Sequence, residues 1–197
     1  PHTSRDFENY WIVWDRRLLD EWGLRAVIES LGTAIPNLLE LSYLLVYVMP
    51  VITVYVFYRF NARERLDDAY SILLLGTLTT YALYPYFPSE PPRSVFPNLD
   101  PPLDSQLRQL NLRILGDYGI HTSVFPSGHS AAAFSAAFAV RKLLPQPAWL
   151  GRVFLGLACA IATATVYGRY HFAVDMLAGL AMALWSWGMS RVWRQRA

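Results

Sequence analysis

The chain has 197 residues, 17 Lys and Arg against 15 Asp and Glu, and a single cysteine. A formal net charge of +2 excludes a nucleic-acid protein driven by bulk charge, and one Cys excludes an internal disulfide framework and the usual multi-cysteine zinc sites. Charged residues make up 16% of the chain where about 25% is usual, so their positions carry the information.

The first 36 residues are mixed. Phe7, Trp11, Trp14, Leu18 and Trp22 recur at helical spacing among Asp15, Arg16, Arg17, Asp20 and Glu21. This predicts an amphipathic interfacial segment over 1–36, with a helix packed on the domain as the equal alternative. The chain starts with Pro rather than Met and shows no signal-peptide pattern, which reads as a trimmed or processed N-terminus and leaves an upstream span open.

Long charge-free stretches follow: 18 residues at 41–58, 21 at 69–89, 23 at 118–140, 16 at 153–168 and 15 at 176–190. A spanning helix needs roughly 20 mostly apolar residues. Spans are predicted at 38–59, 68–87, 127–144, 148–168 and 172–191, separated by Pro85, Pro88, Pro126, Pro145 and Pro147. A soluble all-α core is the competing reading. Five such segments are too many for a core of this size, because each would need burial all round. Tyr58, Tyr81, Tyr84, Trp149, Tyr167 and Trp185 near segment ends fit an aromatic belt. The expected fold is therefore an all-α, multi-pass transmembrane helix bundle over residues 37–197.

Short-loop cations set the orientation. Arg59, Arg63, Arg65, Arg141, Lys142, Arg152, Arg191, Arg194 and Arg196 fall on one side, predicted to be cytoplasmic. Arg93, Arg108, Arg113 and Arg169 fall on the other, with the 88–127 loop and the 169–175 turn.

That second side collects the chemistry. The loop closes with Pro126-Ser127-Gly128-His129. Ser127-Gly128 can open a helix whose free N–H groups bind an anion, and Gly lets an oxyanion approach closely. His129 would sit in the first turn, able to donate a proton there; Ser127 as an ordinary N-cap is the bland alternative. His171 and Asp175 are four apart and share a helical face. A carboxylate there can hold one ring nitrogen and leave the other as a nucleophile or base, although an interfacial ion pair or cap has the same pattern. Arg169 lies two before His171 and can supply an oxyanion-binding guanidinium. Arg93 follows Pro91-Pro92, and Glu90 either orients it or is a loop carboxylate. His2 and His121 read as solvated. No carboxylate cluster of the Mg²⁺ type stands in the pattern, so no metal or cofactor is expected.

The quartet Pro126-Ser127-Gly128-His129, followed 42 residues after His129 by His171-x3-Asp175, resembles the type 2 phosphatidic acid phosphatase superfamily, which includes vanadium haloperoxidases. The resemblance covers roughly residues 38–191. It implies a helical fold, usually with six spans in membrane members. It implies that His171 attacks phosphorus, that Asp175 orients it, that His129 protonates the departing alkoxide, and that Ser127, Gly128 and Arg93 bind phosphate oxygens. Two family positions differ. Tyr86 stands where the family carries Lys, with Ser94 for the Pro after Arg93; Ala164 and Thr165 stand where it carries Ser-Arg. Arg169 is the expected substitute clamp. The Pro-Pro-Arg and Tyr-x-Arg-Tyr-His segments look similar to inositol phosphorylceramide synthases, whose members pass the head group to a lipid acceptor.

The resemblance implies a metal-independent integral-membrane enzyme hydrolysing a lipid phosphate ester or diphosphate through a phosphohistidine. It implies a bacterial plasma membrane, with the site on the extracytoplasmic face. Head-group transfer to a lipid acceptor is the alternative, and a non-catalytic lipid-binding protein of the same fold is the remaining one. A Ser127–His129 protease lacks a supporting Gly-x-Ser motif. The partner is a lipid phosphate, and no nucleic acid is expected.

Overall fold

The computed structural model describes residues 6–118 and 124–194, with side chains described over 7–116 and 124–190. His2, His121 and the tail cations Arg191, Arg194 and Arg196 lie outside the described side chains. Among the described residues all regular structure is helical. The α-helices are α1 (Asp6–Arg16), α2 (Leu24–Glu29), α3 (Ala34–Leu45), α4 (Met49–Arg59), α5 (Leu66–Leu83), α6 (Pro92–Val95), α7 (Gln106–Tyr118), α8 (Gly128–Leu143), α9 (Ala148–Tyr167) and α10 (Ala173–Arg194).

Helices stand at all five places where spans are predicted. Ala34–Arg59 runs 26 residues with mean hydropathy 1.8, and Ala148–Tyr167 runs 20 residues with 1.6; both are long and apolar enough to cross a membrane. The first is α3 and α4 joined through a 3₁₀ turn at Val46–Val48. Pro50 follows that turn in the first turn of α4, where its missing N–H and fixed φ fit best.

The helix α8 sits in the middle, with α4, α5, α9 and α10 packed around it. At 16 residues it is only ~24 Å long. Its faces are largely occupied by protein: Ala131, Ala133, Ala136, Ala137 and Ala139 are all buried. Small side chains let neighbouring helices approach closely. A Cβ added at Gly76 of α5 would lie 2.3 Å from Ser135 Oγ of α8, and Ser135 Oγ is 3.4 Å from Ser186 Oγ of α10. At Gly179 of α10 an added Cβ would lie 2.4 Å from the Ser127 carbonyl and 3.0 Å from Ser130 Cβ. Gly179 is thus what lets α10 press against the start of α8. Gly179→Ala is expected to cost about 1–3 kcal/mol through overpacking. A Tm in detergent unchanged from the parent would contradict this.

Each end of the bundle is tied together. At one end Arg65 donates to the Leu143 carbonyl at 2.7 Å, placing a cation where the α8 macrodipole favours one. Lys142 Nζ donates to Ser190 Oγ of α10 at 2.7 Å, so the basic turns and the end of α10 meet there. At the other end the three motif segments are joined through the backbone. Arg93 N–H donates to the Arg169 carbonyl at 3.2 Å, Val124 N–H to the Ser89 carbonyl at 3.2 Å, and Ser127 N–H to the Asp175 carbonyl at 2.9 Å.

Candidate active site

Pro126 precedes α8 and Ser127 caps it. The Ser127 backbone is extended (φ −69°, ψ 111°), and its Oγ accepts the Ser130 N–H at 3.3 Å. Gly128 is packed under two aromatic rings, where a Cβ would lie 2.9 Å from Tyr81 Cε1 and 3.1 Å from Tyr84 Oη. The glycine therefore has a packing reason as well as the anion-approach reason.

His129 in the first turn of α8 faces two partners. Its Nδ1 is 3.5 Å from His171 Nε2, and its Nε2 is 3.3 Å from Tyr47 Oη. The Tyr43 ring stacks on the imidazole at 4.7 Å. His171 lies in the turn between α9 and α10. Its backbone N–H donates to the Thr165 carbonyl at 2.9 Å, as does that of Tyr170. His171 Nδ1 is 3.4 Å from Asp175 Oδ2, and that oxygen accepts the Phe172 N–H at 3.0 Å. So Nδ1 faces the carboxylate and Nε2 faces His129. Burial pushes the His171 pKa down to about 3, and the Arg93 charge adds to this. The imidazole is unprotonated at neutral pH and holds a lone pair for attack.

Two guanidiniums were expected here, and the structure places them differently. Arg93 Nη1 donates to the Tyr170 carbonyl at 3.4 Å, and the guanidinium lies over the Tyr170 ring at 5.7 Å. It is near enough to depress the His171 pKa. Arg169 is not brought into this group. Its φ is 60°, and its guanidinium donates to the carbonyls of Pro92, Phe96 and Leu99. It straps the 92–99 loop. The two departures from the family pattern also have clear placements. Tyr86 is exposed, and Thr165 is fully buried with its hydroxyl donating to the Ala162 carbonyl at 2.7 Å.

A buried polar cluster around Glu40 backs the site. Glu40, in the middle of the apolar α3, is buried; its Oε2 accepts from Tyr170 Oη at 2.6 Å and from Asn111 Nδ2 at 2.6 Å, and its Oε1 faces Arg108 Nη1 at 3.2 Å. Arg108 also donates to the Gly168 carbonyl at 3.1 Å. This ties α7 to α3 and to the turn that carries His171. Separating this buried pair would leave an uncompensated charge, so it resists opening. The signal was present: Glu40, Tyr43 and Tyr47 form a polar stripe at spacings of three and four on an apolar helix, a pattern that marks an inward face.

The helix α1 touches the site from outside. Asp15 Oδ1 accepts the Ala173 N–H at the start of α10 at 2.9 Å. Burial raises the Asp15 pKa to about 7; the Ala173 bond opposes this, Asp175 adds to it and Arg169 reduces it. The folded pKa lies above the unfolded value of about 3.9. Its stabilising contribution is then full below about pH 4 and is lost as pH rises through about 7. Asp15→Asn keeps an acceptor without the charge. The variant is expected to lack this loss of stability between about pH 4 and 7 and to melt above the parent at pH 8. Parallel Tm profiles for the two proteins would contradict it.

Among the described residues no group of three or more His, Cys, Asp or Glu side chains could hold a metal ion. Residues 11–189 match the family model described as the PAP2 superfamily. The chain belongs to the PAP2 superfamily. Among PAP2 relatives, a PA-phosphatase related-family protein of Dictyostelium discoideum is 40% identical over 60 residues, which is 30% of this chain. The match spans about 10% of that protein's length. The crystal structure of Aquifex aeolicus LpxE superposes with a TM-score of 0.63 over 85% of this chain and 92% of that one, at 18% identity. That likeness shows a shared fold.

Proposed function

We propose that this PAP2 protein is a multi-pass membrane enzyme that transfers the phosphoryl group of a lipid phosphate ester or diphosphate, to water by default, through a phosphohistidine at His171. The observation that carries the reading is the pairing of His171 Nε2 with His129 Nδ1 at 3.5 Å, with Asp175 on the far side of His171. In the first step His171 Nε2 attacks phosphorus and the bond from phosphorus to the lipid oxygen breaks. His129 gives its proton to that oxygen as the alcohol leaves. In the second step His129 takes a proton from water, whose oxygen attacks phosphorus, and the bond to His171 breaks. Arg93, the Ser127 side chain and the backbone at Gly128 supply the phosphate contacts, and the start of α8 favours an anion. Asp175 holds the His171 ring and stabilises its developing charge. In this reading protein groups alone do the chemistry, with no cofactor.

Membrane placement is supported by the two span-length helices and by the chemistry at one end of the bundle. The basic turns at the opposite end fit a cytoplasmic side, so the site would open on the extracytoplasmic face of a bacterial plasma membrane. Head-group transfer to a lipid acceptor is the second reading. It is favoured by Tyr86 and Thr165, which leave the cradle with less positive charge than the family pattern.

Product analysis tests the reading. Detergent-solubilised protein is given labelled phosphatidic acid, prenyl diphosphate and phosphatidylinositol in EDTA, with and without diacylglycerol or ceramide. Free phosphate without acceptor is the expected result. A new phospholipid appearing only with acceptor would move the enzyme to the transferase reading, and a strict metal requirement would contradict the mechanism. His129→Ala is expected to slow substrates with poor alkoxide leaving groups about 10²-fold more than aryl phosphates. Equal losses for both would remove the general-acid role.

A further inference from the structure

The helix α1 is inside out by the standards of a water-soluble surface. Its buried face carries two carboxylates, Glu8 at 5% and Asp15 at 3% exposure, while Phe7, Tyr10 and Trp14 on its outer side and Trp22 beyond it are 66%, 73%, 57% and 70% exposed. Charged residues are almost never fully buried without partners, and contiguous large apolar side chains are rarely left in water. The carboxylates have partners on the bundle, and the exposed rings cease to be anomalous if the outer side faces lipid.

The buried face explains the carboxylates. Glu8 Oε1 accepts the Glu90 N–H at 3.4 Å, in the first motif segment. Trp11 stacks on Phe125 with centroids 5.5 Å apart, one residue before Pro126-Ser127, and meets Phe172 edge-on at 5.6 Å, next to His171. Asp15 caps the start of α10, two residues from His171. One short helix therefore contacts all three segments that carry the site.

The outer face continues onto the bundle. Tyr10, Trp14, Leu18 and Trp22 line one wall of an apolar groove of about 690 Å³, whose other wall is Val174 and Leu177 of α10. Leu177, Leu184 and Trp185 carry that exposed apolar surface along α10. The Arg17 guanidinium lies 5.0 Å over the Trp14 ring, with an apolar stem beside the aromatic and a charge free to reach head groups.

We propose that α1 is seated in the head-group boundary of the bilayer through Tyr10, Trp14 and Trp22, and that this seating holds the three motif segments in register through Glu8, Trp11 and Asp15. The occupant is a lipid surface, and turnover of bilayer-embedded substrate depends on it. The kinetic part rests on the phosphoryl-transfer reading above; the seating does not.

The test uses the full chain reconstituted in phosphatidylcholine vesicles. Tryptophan fluorescence is quenched with lipids brominated near the head group, comparing wild type with the Trp14→Phe/Trp22→Phe double variant. The same proteins, with Trp14→Ser/Trp22→Ser and Trp11→Ala, are assayed on long-chain phosphatidic acid in the vesicles and on dissolved short-chain phosphatidic acid. The double Phe variant should show clearly less head-group-level quenching than wild type, the remainder coming from the five tryptophans it keeps. The double Ser variant should fall at least about fivefold on the vesicle substrate and stay within about twofold on the dissolved one. Trp11→Ala should lower kcat by about 10- to 100-fold on both, as misplaced catalytic groups do, with Trp11→Phe restoring most of it. Equal quenching with and without Trp14 and Trp22 would overturn the seating. Wild-type kcat in Trp11→Ala would overturn the coupling. If the aromatic face instead joins two copies, the double Ser variant changes mass in detergent and both substrates fall together, which also overturns the proposal. Should wild type turn over neither substrate, the phosphoryl-transfer reading and the coupling built on it fail, and the quenching still decides the seating.

Discussion

His171→Ala is expected to lower kcat by at least about 10⁴-fold, since removing the nucleophile of a covalent mechanism costs on the order of 10⁶ in the best-studied hydrolases. The geometry makes the expectation specific. Nδ1 of His171 faces Asp175 Oδ2 at 3.4 Å, and Nε2 faces His129. No neighbouring side chain can take over. His129 has its Nδ1 toward His171 and its Nε2 toward Tyr47, so it cannot both attack and protonate. Asp175 is fully enclosed. The variant should keep its fold, because the turn is held by the backbone of Thr165 and by the Phe172 N–H bond to Asp175 rather than by the imidazole. Phosphate release within tenfold of wild type, in a protein of unchanged Tm, would remove His171 from the nucleophile role.

The second large effect separates the two arginines. Arg93→Ala is expected to lower kcat/KM by about 10²–10³, the usual loss for a donor aimed at transition-state oxygens. It should also weaken inhibition by inorganic phosphate. Arg169→Ala should act first on stability. Its guanidinium donors serve the carbonyls of Pro92, Phe96 and Leu99, so its loss leaves that loop's acceptors unpaired and lowers Tm. Because the same loop carries Arg93, some loss of activity follows indirectly. Arg93→Lys should recover part of the phosphate affinity as a point charge without the planar fork. If Arg169→Ala weakened phosphate inhibition more than Arg93→Ala at unchanged Tm, Arg169 would be the clamp after all.

Much of this was legible because the relevant physics is local. Charge-free runs bounded by Pro mark helices whatever they pack against, and helices stand where they were expected. Ser127 before Gly128-His129 announces a helix start, and His171 with Asp175 announces a shared face. What was not legible depends on partners far apart in sequence. Arg169 stands beside His171 in the chain, but its positive φ turns it toward the 92–99 loop, which spacing alone cannot show. Glu40 reads as the end of an apolar run. Only the fold brings Arg108, Asn111 and Tyr170, 68 to 130 residues away, onto its carboxylate. In α1 the aromatic spacing was plain, yet which face turns inward was not. Its carboxylates are buried because their acceptors are needed at Glu90 and Ala173, and its rings are left outside.

The most direct measurement is to trap the intermediate. Protein in EDTA is mixed with lipid phosphate labelled at phosphorus, quenched in alkaline denaturant and mapped by peptide. The account predicts label on the peptide containing His171, stable to alkali and lost in acid, and absent from His171→Ala. Steady phosphate release with no such label, or with label that survives acid, would contradict it.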